Sequence, residues 1–228
     1  MWGMTTFQRA RSEEQREARR QSILATAATM LGEMPVSALS LNELSRRVGL
    51  AKSNVLRYFE SREAILLELL SQQAHDLLVE VVGQLPARID ENGPATARAR
   101  SLASGLATSL ASREMLCELL GTQAGILEHN VSPEAIAHYK RGAFDALDGL
   151  AALVRKVLPE LDERQVAEAG VMIFVLAGSL WTHSHPAPAV RAAYAADPGL
   201  TSPFPDFTGT LERSLTLFLT GLLNDPDR

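Results

Sequence analysis

Apolar residues recur at helical spacing along most of the chain. Between Ile23 and Leu31 they lie three or four positions apart, which predicts the buried face of a helix. Residues 12–15, Ser-Glu-Glu-Gln, have the capping-box pattern of a helix start, in which two side chains satisfy free backbone N–H groups. We therefore predict a first helix that ends near Gly32, preceded by a flexible arm over residues 1–11.

Three further helices are predicted before residue 85. A second capping box begins at Ser40 and predicts a short helix that buries Leu44. Gly49 follows this helix, and glycine most readily adopts the left-handed conformation that ends one. The pattern then predicts a third helix over 52–59 and a fourth that begins near Ser61.

Helical periodicity continues to the C-terminus with one interruption. No sustained alternation of apolar and polar residues indicates a strand. Residues 186–206 contain five prolines, which exclude a continuous helix and predict a loop with at most one short helical turn. The sequence therefore predicts an all-α chain of nine or ten helices. The later helices are expected over 95–111, 113–123, 133–158, 163–184 and 207–223.

Composition narrows the class of protein. The chain has 228 residues, of which 46% are hydrophobic and 21% charged, the balance of a globular protein. Cys117 is the only cysteine, which excludes an internal disulfide or a multi-cysteine metal site. The longest uncharged apolar run, 169–181, is too short to span a bilayer. Because the N-terminus also lacks a signal-peptide pattern, we expect a cytoplasmic protein without a membrane partner.

Charge is distributed unevenly between the two ends of the chain. Residues 1–70 hold ten Lys or Arg and eight Asp or Glu, a net charge of +2. Residues 71–228 hold twelve and nineteen, a net charge of −7. A basic N-terminal region on an acidic body indicates an anionic partner for the N-terminal region.

The segment from Ser40 to Leu66 has the pattern of a helix-turn-helix, whose second helix enters the major groove of DNA. Asn54 can pair with adenine and Arg57 with guanine, while the other cations can neutralise phosphates. Free amides behind Ser40 can bind a further phosphate. The alternative for Arg46, Arg47 and Arg62 is a solvated helix surface without a DNA contact. The alternative for Tyr58 is packing in the core. The predicted DNA contacts are Ser40, Arg46, Arg47, Lys52, Ser53, Asn54, Arg57, Tyr58 and Arg62.

These residues resemble the DNA-binding domain of the tetracycline-repressor (TetR) family. Three positions depart from the family's pattern. Ala51 stands where a Ser or Thr usually caps the recognition helix, Leu56 where a tyrosine is frequent, and Arg62 where a lysine usually starts helix four, which keeps the charge. The matching stretches are Ile23-Leu24-x-x-Ala27-Ala28, Leu44-Ser45, Gly49-Leu50, Tyr58-Phe59 and Phe59-Glu60-Ser61-Arg62-Glu63.

The resemblance implies a three-helix helix-turn-helix domain over 12–60 and a helical effector-binding and dimerisation domain over 61–228. It implies a homodimeric transcriptional regulator, a repressor that a small, mostly apolar ligand releases from a palindromic duplex operator. One alternative is an effector-free DNA-binding regulator or a protein-binding adaptor. A helical enzyme is a third hypothesis, although the sequence contains no catalytic motif.

The resemblance also implies an effector pocket among the helices from 95 to 184 and a dimer interface in helices 163–184 and 207–223. Ordinary core packing is the alternative for each pocket residue. Small residues at 169, 170, 177 and 178 would permit close approach of the partner. The predicted pocket residues are Met115, Leu119, Gln123, His129, Tyr139, Phe144, Met172 and Trp181. The predicted interface residues are Ile173, Ala177, Leu180, Leu211, Leu215, Phe218 and Leu222.

No metal or other cofactor is predicted. His183 and His185 are two residues apart on a helix, which turns their side chains about 200° away from each other. Cys117 is expected to be a small buried hydrophobe, with redox sensing as the alternative.

Overall fold

The computed structural model describes residues 3–197 and 199–225, with side chains described from Glu13 onward. Within these residues the chain forms ten α-helices and no strand, which confirms the predicted all-α fold. Short 3₁₀ turns lie at Val36–Ala38 and Pro86–Arg88, and a π-helical turn lies at Gln123–Leu127. The α-helices are α1 Gly3–Leu31, α2 Leu41–Val48, α3 Lys52–Val55, α4 Arg62–Gln84, α5 Ala95–Ala111, α6 Glu114–Thr122, α7 Pro133–Val157, α8 Glu163–Ser184, α9 Pro188–Ala196 and α10 Phe207–Leu223.

Local sequence sets the boundaries of the helices around α2 and α4. The Ser40 hydroxyl accepts the Glu43 N–H at 3.3 Å, and the Ser61 hydroxyl accepts the Ala64 N–H at 3.1 Å. Gly49 adopts φ 73°, the left-handed conformation predicted for it. Ala51 precedes α3 with no side-chain cap. Helix α3 ends at Val55 and residues 56–58 form a turn, so the predicted extension of this helix to residue 59 is wrong.

The start of α1 differs from the prediction. The helix runs from Gly3 without interruption, so the expected start at Ser12 is wrong and residues 3–11 are helical. No glycine or proline occurs between residues 4 and 31, so nothing in this stretch stops a helix from propagating. Residues 1 and 2 of the predicted arm lie outside the described residues.

The proline-rich segment also holds more helix than expected. Helix α9 spans Pro188–Ala196, nine residues, where the sequence predicted a loop with one turn at most. Pro188 stands at the start of the helix, where its missing N–H costs nothing, and residues 189–197 contain no proline. The prolines therefore bracket a short helix instead of excluding one.

Close backbone contacts place α8 against its neighbours. A Cβ atom at Gly178 would lie 2.8 Å from the Gly121 nitrogen and 2.8 Å from the Leu120 carbonyl carbon in α6. A Cβ atom at Gly170 would lie 3.0 Å from the Leu147 oxygen in α7. The small residues of α8 thus permit close approach within one chain, whereas the sequence assigned them to contact with a partner.

Length and composition alone would allow α8 to cross a membrane. The core helix of a soluble protein meets the same criterion, so this feature is weak evidence. In the fold, 44% of the most apolar 18-residue stretch of α8 is buried, and α8 packs against α6, α7 and α10. That packing supports the interpretation of α8 as a core helix.

Candidate nucleic-acid interface and apolar cleft

A row of polar side chains is exposed on α3 and the turn that follows it. Lys52, Ser53, Asn54 and Arg57 are all exposed, and none forms a side-chain hydrogen bond or ion pair with another described residue. On the opposite side, Val55 is fully buried and anchors α3 in the core. The structure therefore brings together four of the predicted DNA contacts as one solvent-facing row, which we call the recognition row.

Arginines of α2 flank this row but are already paired. The Glu43 carboxylate lies 2.6 Å from Arg46 Nη2 and 2.9 Å from Arg47 Nε, and Arg47 also pairs with Glu33 at 2.5 Å. These hydrogen bonds lower the pKa of Glu43 to about 2. Arg46 keeps 74% of its side chain exposed, whereas Arg47 keeps 29%. Ser40 is exposed and caps α2.

Tyr58 and Arg62 are held inside the domain more than the sequence indicated. Tyr58 is half-buried and packs against the core. Arg62 donates to the Leu39 carbonyl at 3.1 Å and pairs with Glu63 at 3.0 Å, with 22% of its side chain exposed. Because the Leu39 bond reaches across from α4, the role of Arg62 in the structure is to join α4 to the segment before α2.

Arg20 of α1 supports the end of α3, a role that the sequence analysis missed. Its Nη1 donates to the Tyr58 carbonyl at 3.1 Å, and its Nη2 lies 2.9 Å from Glu68. The guanidinium carbon is 4.2 Å from the centre of the Phe59 ring, a cation–π contact. The sequence contains a signal for this role: Arg20 lies about one helical turn before Ile23, so both side chains are on the buried side of α1.

Two carboxylates connect the helix-turn-helix to the later helices. Glu118 of α6 accepts the N–H of Val36, just before α2, at 2.8 Å. Glu60, just after α3, accepts the N–H of Ser132, the N-cap residue of α7, at 2.5 Å. We call these contacts the two struts. Since one lies before α2 and the other after α3, a displacement of segment 118–132 would reach both ends of the motif.

An apolar cleft of about 210 Å³ opens between α4, α6, the π turn, α7 and α8. Three predicted pocket residues line it: Gln123, Tyr139 and Phe144. Leu70 and Phe174 supply further apolar surface. A second recess of about 460 Å³ shares Gln123 and Phe174 with the cleft. The apolar lining suits a mostly hydrophobic small molecule.

The polar edge of the cleft carries compensated charge. Burial favours the neutral form of Glu128, but hydrogen bonds from Lys140 at 2.6 Å and Gln123 at 2.8 Å outweigh it and lower the pKa of Glu128. Burial raises the pKa of the Tyr139 hydroxyl, which stays neutral. Because Lys140 is matched by Glu128, the edge presents no unpaired charge to a ligand.

The other five predicted pocket residues do not line the cleft or the recess. Leu119 is fully buried in the core, and Trp181 stacks on His185 with ring centres 3.8 Å apart. His129 is exposed, while Met115 and Met172 are half-buried elsewhere. Residue size identifies a core candidate but not the side of the helix that meets a cavity, so these five residues stay predictions that lie outside the cleft and the recess.

The predicted interface residues lie mostly inside one chain. Six of the seven are at most 8% exposed, so helices of the same protomer already cover them, and Phe218 alone of the seven is half-buried. These six side chains offer little surface to a partner, and their assignment to an interface stays a prediction. The apolar residues left exposed on α8 and α10 are instead Val171 at 44%, Val175 at 52% and Leu217 at 62%.

No group of three His, Cys, Asp or Glu side chains that could hold a metal occurs among the described residues. Cys117 is fully buried, with its Sγ 3.4 Å from the Leu110 carbonyl oxygen. Burial raises the pKa of the Cys117 thiol to about 12, so the thiolate required for redox chemistry is suppressed.

Two family models match the chain. The model described as "Bacterial regulatory proteins, tetR family" matches residues 23–69, which contain the helix-turn-helix. The model described as "Tetracyclin repressor-like, C-terminal domain" matches residues 75–226, more than half of the chain. The boundary between the two matches falls within α4.

Similarity to a curated relative is concentrated in one region. The chain is 32% identical over 74 residues to the HTH-type transcriptional regulator EthR of Mycobacterium tuberculosis. The match spans 32% of this chain and 34% of EthR, so it covers about a third of the relative's length.

Solved structures match over nearly the whole chain at low identity. A possible TetR family transcriptional regulator from Streptomyces coelicolor A3(2) is 20% identical, with TM-score 0.57, over 89% of this chain and 98% of that one. FadR from Bacillus subtilis, in complex with stearoyl-CoA, is 14% identical, with TM-score 0.51, over 90% and 97%. At these identities the likeness shows a shared fold.

Proposed function

The chain belongs to the tetracycline-repressor (TetR) family of transcriptional regulators, and from this premise we propose that it is a homodimeric repressor of a palindromic operator. The observation that carries the proposal is the recognition row. Four exposed polar residues on a short helix and the turn that follows it, held by the buried Val55, match the side chains that read base edges and neutralise phosphates. The protein would act in the cytoplasm, on duplex DNA and without catalysing a reaction.

The row can be tested by single substitutions. Operator sequences are first selected from a random duplex pool with the wild-type protein. Lys52→Ala and Arg57→Ala should each weaken binding to the operator. If the lost side chain read a base, the binding free energy should drop by about 1–3 kcal/mol and specificity should be lost at one base position. If it contacted a phosphate, binding should weaken evenly across sequences. Arg141→Ala, an exposed arginine on α7, is the matched control. Wild-type affinity in both row variants would refute the docking through α3.

The apolar cleft supports release by a small, mostly hydrophobic ligand. FadR, a structural neighbour, was solved with stearoyl-CoA, and the compensated Glu128–Lys140 pair here favours an uncharged or weakly polar molecule. A ligand that binds only the folded protein must raise its melting temperature. Screening should identify compounds that raise it and weaken DNA binding, with both effects reduced in Ala143→Leu, which narrows the cleft. If the protein binds DNA but no compound in the screen has both effects, the effector-free regulator is favoured.

Exposed apolar residues on α8 and α10 support the homodimer. Val171, Val175 and Leu217 are large hydrophobic side chains in water, which a partner subunit would cover. Val171 and Val175 also line the cleft, so a partner seated on α8 would cover its mouth. Val175→Asp should shift the protein toward monomer in analytical ultracentrifugation, whereas Val79→Asp, at an exposed position of α4, should not.

The domain division that we propose follows the same geometry. The DNA-binding domain spans 12–60, with the first turns of α1 before it, and the effector and dimerisation domain spans 61–228. The joint falls at the start of α4, whose N-cap is Ser61. Helix α4 then belongs to the second domain while its first turn holds the first one through Arg62.

A further inference from the structure

The N-terminal half of α1 extends beyond the core of the helix-turn-helix. From Glu13 to Ser22 every side chain is exposed except Arg20, which is half-buried, and Ile23 is the first buried apolar residue. Ten helical residues span about 15 Å. No apolar packing explains why the helix is continued over this stretch, so its surface is free for another purpose.

Charge on this stretch is distributed unevenly around the helix. At 100° per residue, the acidic side chains Glu13, Glu14 and Glu17 fall on one side of the helix. Arg19 falls on the opposite side, and Arg16, one turn before it, lies about 60° from Glu13 and the same angle from Arg19. No acidic residue of α1 lines the groove into which these two arginines project.

That groove joins α1 to the recognition row. It encloses about 970 Å³ and is lined by Gln15, Arg16, Ala18, Arg19 and Ser22 of α1, with Arg57 and Tyr58 from the turn that follows α3. None of the three guanidinium groups forms an ion pair with a described carboxylate, in contrast to Arg20 of α1. Three unpaired cations, two from α1 and one from the turn after α3, therefore face one polar groove that is continuous with the recognition row.

We propose that this groove holds the sugar–phosphate backbone of DNA flanking the bases read by α3, with Arg16 and Arg19 as phosphate contacts. Unpaired guanidinium groups fit phosphate oxygens, and the amide of Gln15 and the hydroxyl of Ser22 add neutral donors. Arg57 spans the groove and the row, so one duplex can occupy both. The inference rests on the proposed DNA-binding function and extends its footprint to α1.

Salt dependence of binding is the measurement that tests it. Each phosphate neutralised adds about 0.9 to the slope of log affinity against log salt concentration. Arg16→Ala/Arg19→Ala should therefore reduce the slope by about 1.8 and weaken binding evenly on a pool-selected duplex and on a scrambled one. Arg16→Lys/Arg19→Lys should retain most of the slope, because the charge is kept. Hydroxyl-radical footprints should lose backbone protection outside the bases read by α3 only in the alanine variant.

Arg141→Ala/Arg155→Ala is the control, since it removes the same net charge from exposed positions on α7. An equal loss of slope in this control would overturn the inference, because general charge would then explain the effect. A wild-type slope in Arg16→Ala/Arg19→Ala would overturn it as well, while leaving DNA binding through α3 intact. If the wild type bound neither duplex, the proposed function itself would fail.

Discussion

The recognition row and the apolar cleft both leave side chains uncovered by the rest of the chain, but they differ in chemistry and in the number of helices that build them. Every member of the row is polar and extends from one short helix and its following turn, so its chemistry depends on few neighbours. The cleft is apolar and takes its walls from α4, α6, α7 and α8, so its shape depends on how closely those helices approach. The chemistry of the row is therefore robust to changes in the later helices, whereas the shape of the cleft is sensitive to any shift between its helices.

The two struts are where this independence ends. Glu118 belongs to α6, next to Leu120 in the cleft wall, and bonds the backbone before α2. Ser132 begins α7, another wall, and bonds Glu60 after α3. A ligand that separates α6 from α7 must stretch or move these bonds, and it favours whichever conformation it binds more tightly.

Gly178→Ala should have the largest effect on stability, and it should act on the helices that form the cleft rather than on the recognition row. The new Cβ would meet backbone atoms of Leu120 and Gly121 at 2.8 Å, which cannot move without displacing α6. Overpacking of this kind lowers the free energy of unfolding by about 1–3 kcal/mol. Urea denaturation measures it.

Gly83→Ala is the matched control, because a Cβ atom there meets no atom within 4 Å. Replacing this glycine near the end of α4 should raise the free energy of unfolding by about 0.5–1 kcal/mol. Equal stability of both variants would show that α6 and α8 adjust freely and that the cleft is not set by their approach.

Glu118→Ala should have an intermediate effect and break the link between the two regions. The Val36 N–H loses its acceptor, which costs about 1 kcal/mol in unfolding free energy. DNA binding should weaken as well, because α2 loses a fixed point. Glu118→Gln keeps an oxygen acceptor and should restore binding. If the alanine variant lost stability but bound DNA normally, the strut would be structural only.

Ala51→Ser should have a smaller effect, confined to the recognition row. Ala51 already has the extended conformation of an N-cap, with φ −66° and ψ 146°, but no oxygen to accept the free amides of α3. A serine there should stabilise the motif by about 0.5–1 kcal/mol. Slower hydrogen exchange of the α3 amides, with unchanged exchange in α8, would check it.

Acid should produce the smallest effect, through Glu43 beside the row. Its pKa is lowered to about 2 by Arg46 and Arg47, so its contribution to stability is present above its unfolded pKa of 4.5 and is lost as pH falls toward about 2. Because the carboxyl is exposed, the change is slight. Glu43→Gln should flatten acid unfolding between these values. The wild-type acid profile in that variant would contradict the assignment.

Much of the fold could be predicted because helix ends depend on residues within about four positions. Ser40, Gly49 and Ser61 satisfy or terminate backbone hydrogen bonds of their own helices, and the structure confirms each. Asp162 likewise caps α8 in a complete capping box with Gln165. The predicted start of α1 was wrong for a related reason. A capping motif allows a helix to begin at that position, but without a helix-breaking residue it does not prevent an earlier helix from continuing through it.

The sequence by itself determined most of the helical segments, which of them form the DNA-binding motif, and that α3 and its following turn present Asn54 and Arg57 to solvent. Only the tertiary structure decided which apolar face of each helix is buried and which other helix covers it. Leu211 and Val171 are both apolar residues in C-terminal helices, yet one is fully buried and the other 44% exposed. The physical reason is that a hydrogen bond within a helix turn is local, whereas burial depends on which distant helix packs against a face, as Gly121 and Gly178 show.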